Sequence, residues 1–165
     1  LRFPGVQWYG ELYGEDQAGY LPSKVAYRAG AYFPRLTKDG SWDMTLEMAH
    51  TSDVWYSHWT FQDGWTYSGD IMGDPMGTNA QKYYGAVKHY LPYEGYIGLY
   101  YMRTERDRAK AMHPVVDEAA LMGQQKIGDN VYLRGTLGLA RIQSGNYDRQ
   151  RDYTKFATAA FQWVY

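Results

Sequence analysis

The sequence predicts an all-β fold, the wall of an antiparallel transmembrane β-barrel with about eight strands. Three observations predict it. The dominant hydrophobic period along the chain is two rather than 3.6. Aromatic residues make up 18% of the chain, with 18 Tyr and 18 Gly, yet the mean hydropathy is polar. This is the signature of strands in which only alternate residues meet lipid. The connections, read back from the C-terminus, alternate between short and long.

The strands are expected in this order. Val6–Glu15 sets Val6, Trp8, Gly10 and Leu12 against Gln7, Tyr9, Glu11 and Tyr13. Lys24–Phe33 sets Val25, Tyr27, Ala29, Ala31 and Phe33 against Lys24, Arg28 and Tyr32. Trp42–Thr51 is the most regular, with Trp42, Met44, Leu46 and Met48 against Asp43, Thr45, Glu47 and Thr51. Lys82–Leu91 and Tyr96–Thr104 alternate less strictly. Glu118–Gly128 is the least regular, with Leu121 and Ile127 outward and Gln124 and Lys126 inward. Val131–Ile142 turns Val131, Leu133, Leu137 and Leu139 outward and Tyr132, Arg134 and Thr136 inward. Tyr153–Tyr165 places Ala157, Ala159, Phe161, Trp163 and Tyr165 on one face, in a length that crosses a bilayer when tilted.

The connections add independent information. Lys38-Asp39-Gly40-Ser41 is an Asp-Gly hairpin turn, and Pro92–Gly95 and Gly128-Asp129-Asn130 are also short. Asp16–Ser23, Ser52–Gln81, Glu105–Asp117 and Gln143–Asp152 are longer. Outer-membrane barrels keep short turns in the periplasm and longer loops outside. With Tyr165 periplasmic, every expected short turn falls on the periplasmic side. The reading is therefore one domain or fragment, residues 1–165, integral to a bacterial outer membrane, with a long extracellular loop at 52–81.

In lipid every backbone polar group must be paired, so such a sheet must close on itself. The inward charges Glu11, Arg28, Glu47, Lys126 and Arg134 have mixed signs, which suits a braced lumen better than an ion-selective pore. A soluble barrel would reverse the faces. Aromatic-rich strand ends and loop parity favour the membrane reading. Eight strands could close a small barrel or form part of a larger one.

Composition excludes other classes. No apolar run approaches the roughly 20 residues of a membrane helix. Cysteine is absent and net charge is −1, so disulfide frameworks, thiolate metal sites and nucleic-acid binding are not indicated. No Gly-x-Ser-x-Gly occurs, although Asp53 and His58 lie near Ser52 and Ser57. His50, His58, His89 and His113 lack metal-ligand spacing. Neither an enzyme nor a cofactor is expected.

Two stretches carry a resemblance. Trp8-Tyr-Gly-Glu-Leu-Tyr-Gly-Glu-Asp-Gln-Ala-Gly-Tyr-Leu-Pro-Ser-Lys24 and Tyr67-Ser-Gly-Asp-Ile-Met-Gly-Asp-Pro-Met-Gly77 resemble the Wzi capsule-assembly family of outer-membrane proteins. The position after Gly73 is His in many members and Asp74 here. The resemblance implies the C-terminal portion of a barrel of about 18 strands. It implies a surface lectin that attaches capsular polysaccharide, not an enzyme. Separately, the terminal aromatic after alternating apolar residues resembles the C-terminal signature of bacterial outer-membrane proteins. That implies recognition of Tyr165 by the barrel-assembly machinery. A porin or diffusion channel would share the strands without the motif meaning.

The candidate carbohydrate-binding residues are Trp55, Tyr56, His58, Trp59, Asp63, Trp65, Tyr67 and Asp70. Aromatic rings stack on the C–H face of a pyranose, and carboxylates and imidazole bond its hydroxyl edge; Asp53 could join them. The same aromatics could instead pack against the wall at the barrel mouth. Gly69, Gly73 and Gly77 point to a tight loop needing positive φ. The run Arg103–Lys110 reads as a solvated loop that could touch acidic polysaccharide or lipopolysaccharide phosphate. Trp8, Trp42 and Trp163 suit an interfacial girdle.

Overall fold

The computed structural model describes residues 2–3, 5–14, 17–18, 20–55, 66–67, 70–71, 74–144 and 151–164. The elements are all strands: β1 (Arg2–Phe3), β2 (Val6–Gly14), β3 (Gln17–Ala18), β4 (Leu21–Pro22), β5 (Val25–Phe33), β6 (Trp42–His50), β7 (Thr66–Tyr67), β8 (Asp70–Ile71), β9 (Gln81–Leu91), β10 (Gly95–Glu105), β11 (Val115–Gly128), β12 (Val131–Gln143) and β13 (Arg151–Trp163). One antiparallel sheet runs β1-β2-β5-β6-β9-β10-β11-β12-β13. The pairs β3–β4 and β7–β8 are small separate hairpins. The eight long strands match the eight expected from period two. Between the two edges of the sheet, β1 and β13, no pairing occurs among the described residues.

The sheet is a single layer, and its burial shows it. Among the described residues no large side chain is fully buried. Among the described residues the buried apolar cluster is Ala49, Met76 and Ala80. One face instead displays large apolar groups: Leu99 is 51% exposed, Leu121 55%, Leu137 62% and Phe161 74%. A soluble domain covers such a face with a second layer. In a barrel wall, lipid covers it.

The opposite face is polar and braced. Tyr9 donates to Glu47 at 3.1 Å, and Tyr32 and Tyr90 both donate to Asp43, at 3.0 and 2.5 Å. Tyr100 donates to Glu118. Small residues make room for these rings. A Cβ on Gly30 would lie 2.3 Å from the Tyr9 ring, and one on Gly138 would lie 2.3 Å from Phe156. Both are directly paired cross-strand positions.

The register also measures strand tilt. Trp8 is level with Ala31, Leu46, Gly85, Tyr101, Ala119, Leu139 and, on β13, Lys155. The apolar face also carries Tyr27, Tyr83, Tyr101 and Tyr153 nearer the long-loop end; the aromatics nearest the short-turn end are Trp8 on β2, Phe33 on β5 and Trp42 on β6 (its ring 4.6 Å from His89), then Phe161 and Trp163 on β13. This line descends from the level of Lys155 to Trp163, eight residues, over seven strand steps. At standard spacings that is roughly 26 Å along the strands over roughly 34 Å across them, a tilt of roughly 40°. Membrane barrels tilt by about 35–45°. Trp8, Trp42 and Trp163, expected as a girdle, all lie on the apolar face and descend in that order around the wall, at the levels of Lys155, Ala159 and Trp163 of β13.

Beyond shifts of one or two residues at most strand ends, such as β13 beginning at Arg151 rather than Tyr153, the structure differs from the sequence reading at two places. β11 begins at Val115 rather than Glu118, because Asp117 interrupts the apolar pattern yet is fully paired, opposite Arg103 and Arg141. The connection from β5 to β6 spans 34–41, longer than the Asp-Gly turn alone, because Pro34 has no N–H to extend the ladder. Within it Gly40 has φ +72°, and its N–H donates to the Thr37 carbonyl at 3.0 Å. Hydrogen bonds from Thr37 and then Ser41 hold the Asp39 carboxyl down at about 2. In the 92–94 turn, Tyr93 and Glu94 both take positive φ, 59° and 56°. Hydrogen bonds from Lys126 and Tyr132 anchor Glu94 and lower its carboxyl pKa.

Candidate functional site

The long-loop end of the polar face carries a cavity of about 300 Å³. Its lining includes Tyr13 from the end of β2, Ala26 and Arg28 from β5, and Trp55, Asp74 and Met76 from the loop that follows β6. Alternation explains the strand members: Tyr13, Ala26 and Arg28 lie on the polar side of their strands, and Ala26 leaves space beside the two long side chains.

The loop members are fixed by the segment that leads into β9. The Thr51 hydroxyl donates to the Gly77 carbonyl at 2.7 Å and accepts from the Ala80 N–H at 3.0 Å. The Asn79 N–H donates to the Ser52 carbonyl at 2.8 Å. Gly77 sits at φ +77°, as expected for a tight loop. Met76 and Ala80, 3% and 0% exposed, press onto Ala49. The next loop joins in: Arg106 donates to the Pro75 carbonyl at 2.8 Å, and the Arg108 N–H to Asn79 at 3.1 Å.

Charge is concentrated at the cavity floor. Asp74 accepts from Arg28 at 3.3 Å and from Lys82 at 3.0 Å, and Arg28 lies 3.7 Å from Glu47. Burial alone would raise the Asp74 carboxyl pKa. The Met76 N–H and the Lys82 and Arg28 cations outweigh burial and lower it. Trp55 stands by Tyr13, ring centroids 6.4 Å apart and tilted by 57°. Lys24 bonds Asp53 at 3.1 Å and lowers its carboxyl pKa. The result is an open aromatic corner above a dense set of hydrogen-bonding charges.

Of the sequence-predicted site residues, the structure places Trp55 in this cavity. Tyr67 and Asp70 are directly paired in the β7–β8 hairpin. Tyr56, His58, Trp59, Asp63 and Trp65 lie outside the described residues. Tyr13, Arg28 and Asp74 were not among the predicted residues. Their signal was present: Glu11, Tyr13 and Arg28 share the inward face, and Asp74 is the first charge after a glycine-punctuated element.

Comparison with protein families supplies the missing context. The model of the family described as capsule assembly protein Wzi matches residues 1–156. The chain belongs to the Wzi capsule-assembly family. Comparison with the curated proteins gives no significant match. Among solved structures the chain is similar to Wzi of Escherichia coli, an outer-membrane protein involved in group 1 capsule assembly and a carbohydrate-binding β-barrel. Identity is 18% and the TM-score 0.71, over 94% of this chain and 37% of that one. The likeness establishes the fold, an antiparallel barrel wall, and the chain spans little more than a third of that structure's length. In this Wzi-family wall, Asp74 stands in the loop that follows β6. Here the residue ties the loop to Arg28 and Lys82.

Proposed function

We propose that the chain forms part of an outer-membrane β-barrel lectin that binds and anchors capsular polysaccharide during capsule assembly. The apolar face meets lipid, the polar face lines the lumen, and the long loops open to the cell exterior. The observation that carries the reading is the Trp55–Tyr13 corner beside Arg28 and Asp74. An aromatic platform takes the C–H face of a pyranose, and paired charges take its hydroxyls or carboxylate. Family membership supports the same reading. Tyr56, His58, Trp59, Asp63, Trp65, Tyr67 and Asp70, from the same stretch of sequence, are assigned to the same contact with the polymer. Binding proceeds without catalysis.

The test uses the full-length protein in detergent or lipid nanodiscs, titrated with oligosaccharides cut from the cognate capsule. Trp55→Ala and Tyr13→Ala should each weaken binding at least about tenfold, the loss of one stacking platform. Unchanged affinity in both variants would remove this corner from the binding surface. A wide, steady ohmic conductance in planar bilayers, with no sugar binding, would instead mark a diffusion channel.

A further inference from the structure

The apolar face does not stay apolar to the top. On β10–β13 it ends in charge. Arg103, Asp117 and Arg141 are level with one another on this face. Arg103 reaches Asp117 at 3.2 Å and Glu105 at 2.8 Å; Arg141 reaches Asp117 at 2.5 Å. On β13, Lys155, Tyr153 and Arg151 share the face; by register Tyr153 pairs with Arg141, while Lys155 and Arg151 flank it diagonally. Diagonal neighbours across antiparallel strands lie about 7–8 Å apart, within reach of long side chains. By register Arg141, Lys155 and Arg151 are thus the nearest same-face positions to the exposed Tyr153. Among the described residues no carboxylate pairs with Lys155 or Arg151. Asp152 belongs to the other face.

Height decides what this patch meets. Lys155 lies eight residues along β13 from Trp163 in the aromatic line. At the tilt read from the register, that is roughly 20 Å above it, with Arg151 roughly 30 Å above. The apolar band of an outer-membrane barrel is about 25 Å tall. The three cations thus stand at the far edge of the lipid-facing band, where headgroups begin. Asp117 already engages Arg141, so the positive excess at this edge is carried by Lys155 and Arg151, which nothing apolar can satisfy. A recess of about 230 Å³ adjoins the patch, lined by Arg103, His113, Val115 and Gln143.

We propose that Arg141, Arg151 and Lys155 bind the phosphorylated disaccharide headgroup of lipopolysaccharide from the lipid side of the wall, with Tyr153 packing on its sugar. Asp117 orients Arg141 and Arg103 and does not touch the ligand. Guanidinium forks fit phosphate bidentately, and ammonium adds a point charge. The inference rests on the outward placement of the long loops proposed above, but not on polysaccharide binding.

The experiment holds the full-length protein in micelles and adds bisphosphorylated lipid A, the same lipid with both phosphates removed, or inorganic phosphate, and counts retained lipid by native mass spectrometry. The wild type should retain the bisphosphorylated lipid at least about tenfold better than the dephosphorylated one. The triple variant Arg141→Gln, Arg151→Gln, Lys155→Gln should lose that preference while keeping the heat-modifiable gel shift of a folded barrel and unaltered oligosaccharide affinity. Equal retention of both lipids by the wild type, or an undiminished preference in the triple variant, overturns the proposal. So does displacement of the lipid by millimolar inorganic phosphate, which would mark a soluble-anion site. Loss of sugar binding in Trp55→Ala, or its absence altogether, leaves this readout untouched.

Discussion

Two charge clusters occupy opposite faces of one sheet, and each has a carboxylate between two cations. On the lumen face Asp74 joins Arg28 and Lys82; on the outer face Asp117 joins Arg103 and Arg141. The difference lies in what surrounds them. Asp74 comes from a loop, so its bonds hold that loop to the wall. Asp117 comes from a strand whose hydrogen bonds already fix it, so its bonds only aim side chains. A charge that secures a segment should cost more to remove than one that orients a surface.

The largest effect should come from Asp74→Ala. It leaves Arg28 and Lys82 adjacent without a shared partner and frees the 74–80 segment, at a cost of about 2–3 kcal/mol. Hydrogen exchange at the Ala80 and Gly77 amides of the full-length protein should rise strongly. Asp117→Ala should cost only about 1 kcal/mol, because both guanidinium groups stand close enough to water to extend into it. A larger loss of urea stability for Asp117→Ala than for Asp74→Ala would break the comparison.

Acid sharpens it. The Asp74 carboxyl is lowered from 3.8, so its contribution is complete above that value and disappears as pH falls through the lower, folded one. Proteolysis of the loop should therefore be flat from neutral pH to about 5 and increase only below about 4. A rise already at pH 6 would mean another group holds the segment. Tyr93→Asn should give the smallest change, a gain of about 0.5–1 kcal/mol in unfolding stability, since Asn tolerates positive φ better than Tyr. This turn lies at the far end from both clusters and calibrates what a wall change is worth without them.

Much of the wall was legible in the sequence, because alternation is a property of each strand alone. Trp42–Met48 and Val131–Leu139 announce their faces residue by residue. Asp117 was not legible as a strand residue, since its acceptability depends on Arg103 and Arg141, which come from two other strands. The site was half legible. Trp55 stood out by aromatic density, but Tyr13 and Arg28 looked like ordinary inward residues. Only the return of Asp74 across the strand ends gives them a shared cavity.

The line from Trp8 to Trp163 has a consequence for the size of the pipe. A slip of eight residues over seven neighbours is slightly more than one residue per strand. In a closed barrel that slip accumulates into the shear, and shear with strand number sets the diameter. A barrel continued at this slip has a shear slightly larger than its number of strands. Because level neighbours share a face, an outward aromatic can drop only by an even number of residues from one strand to the next, so the slip is made of two-residue steps, as from Trp8 to Phe33 to Trp42, separated by strands that do not step.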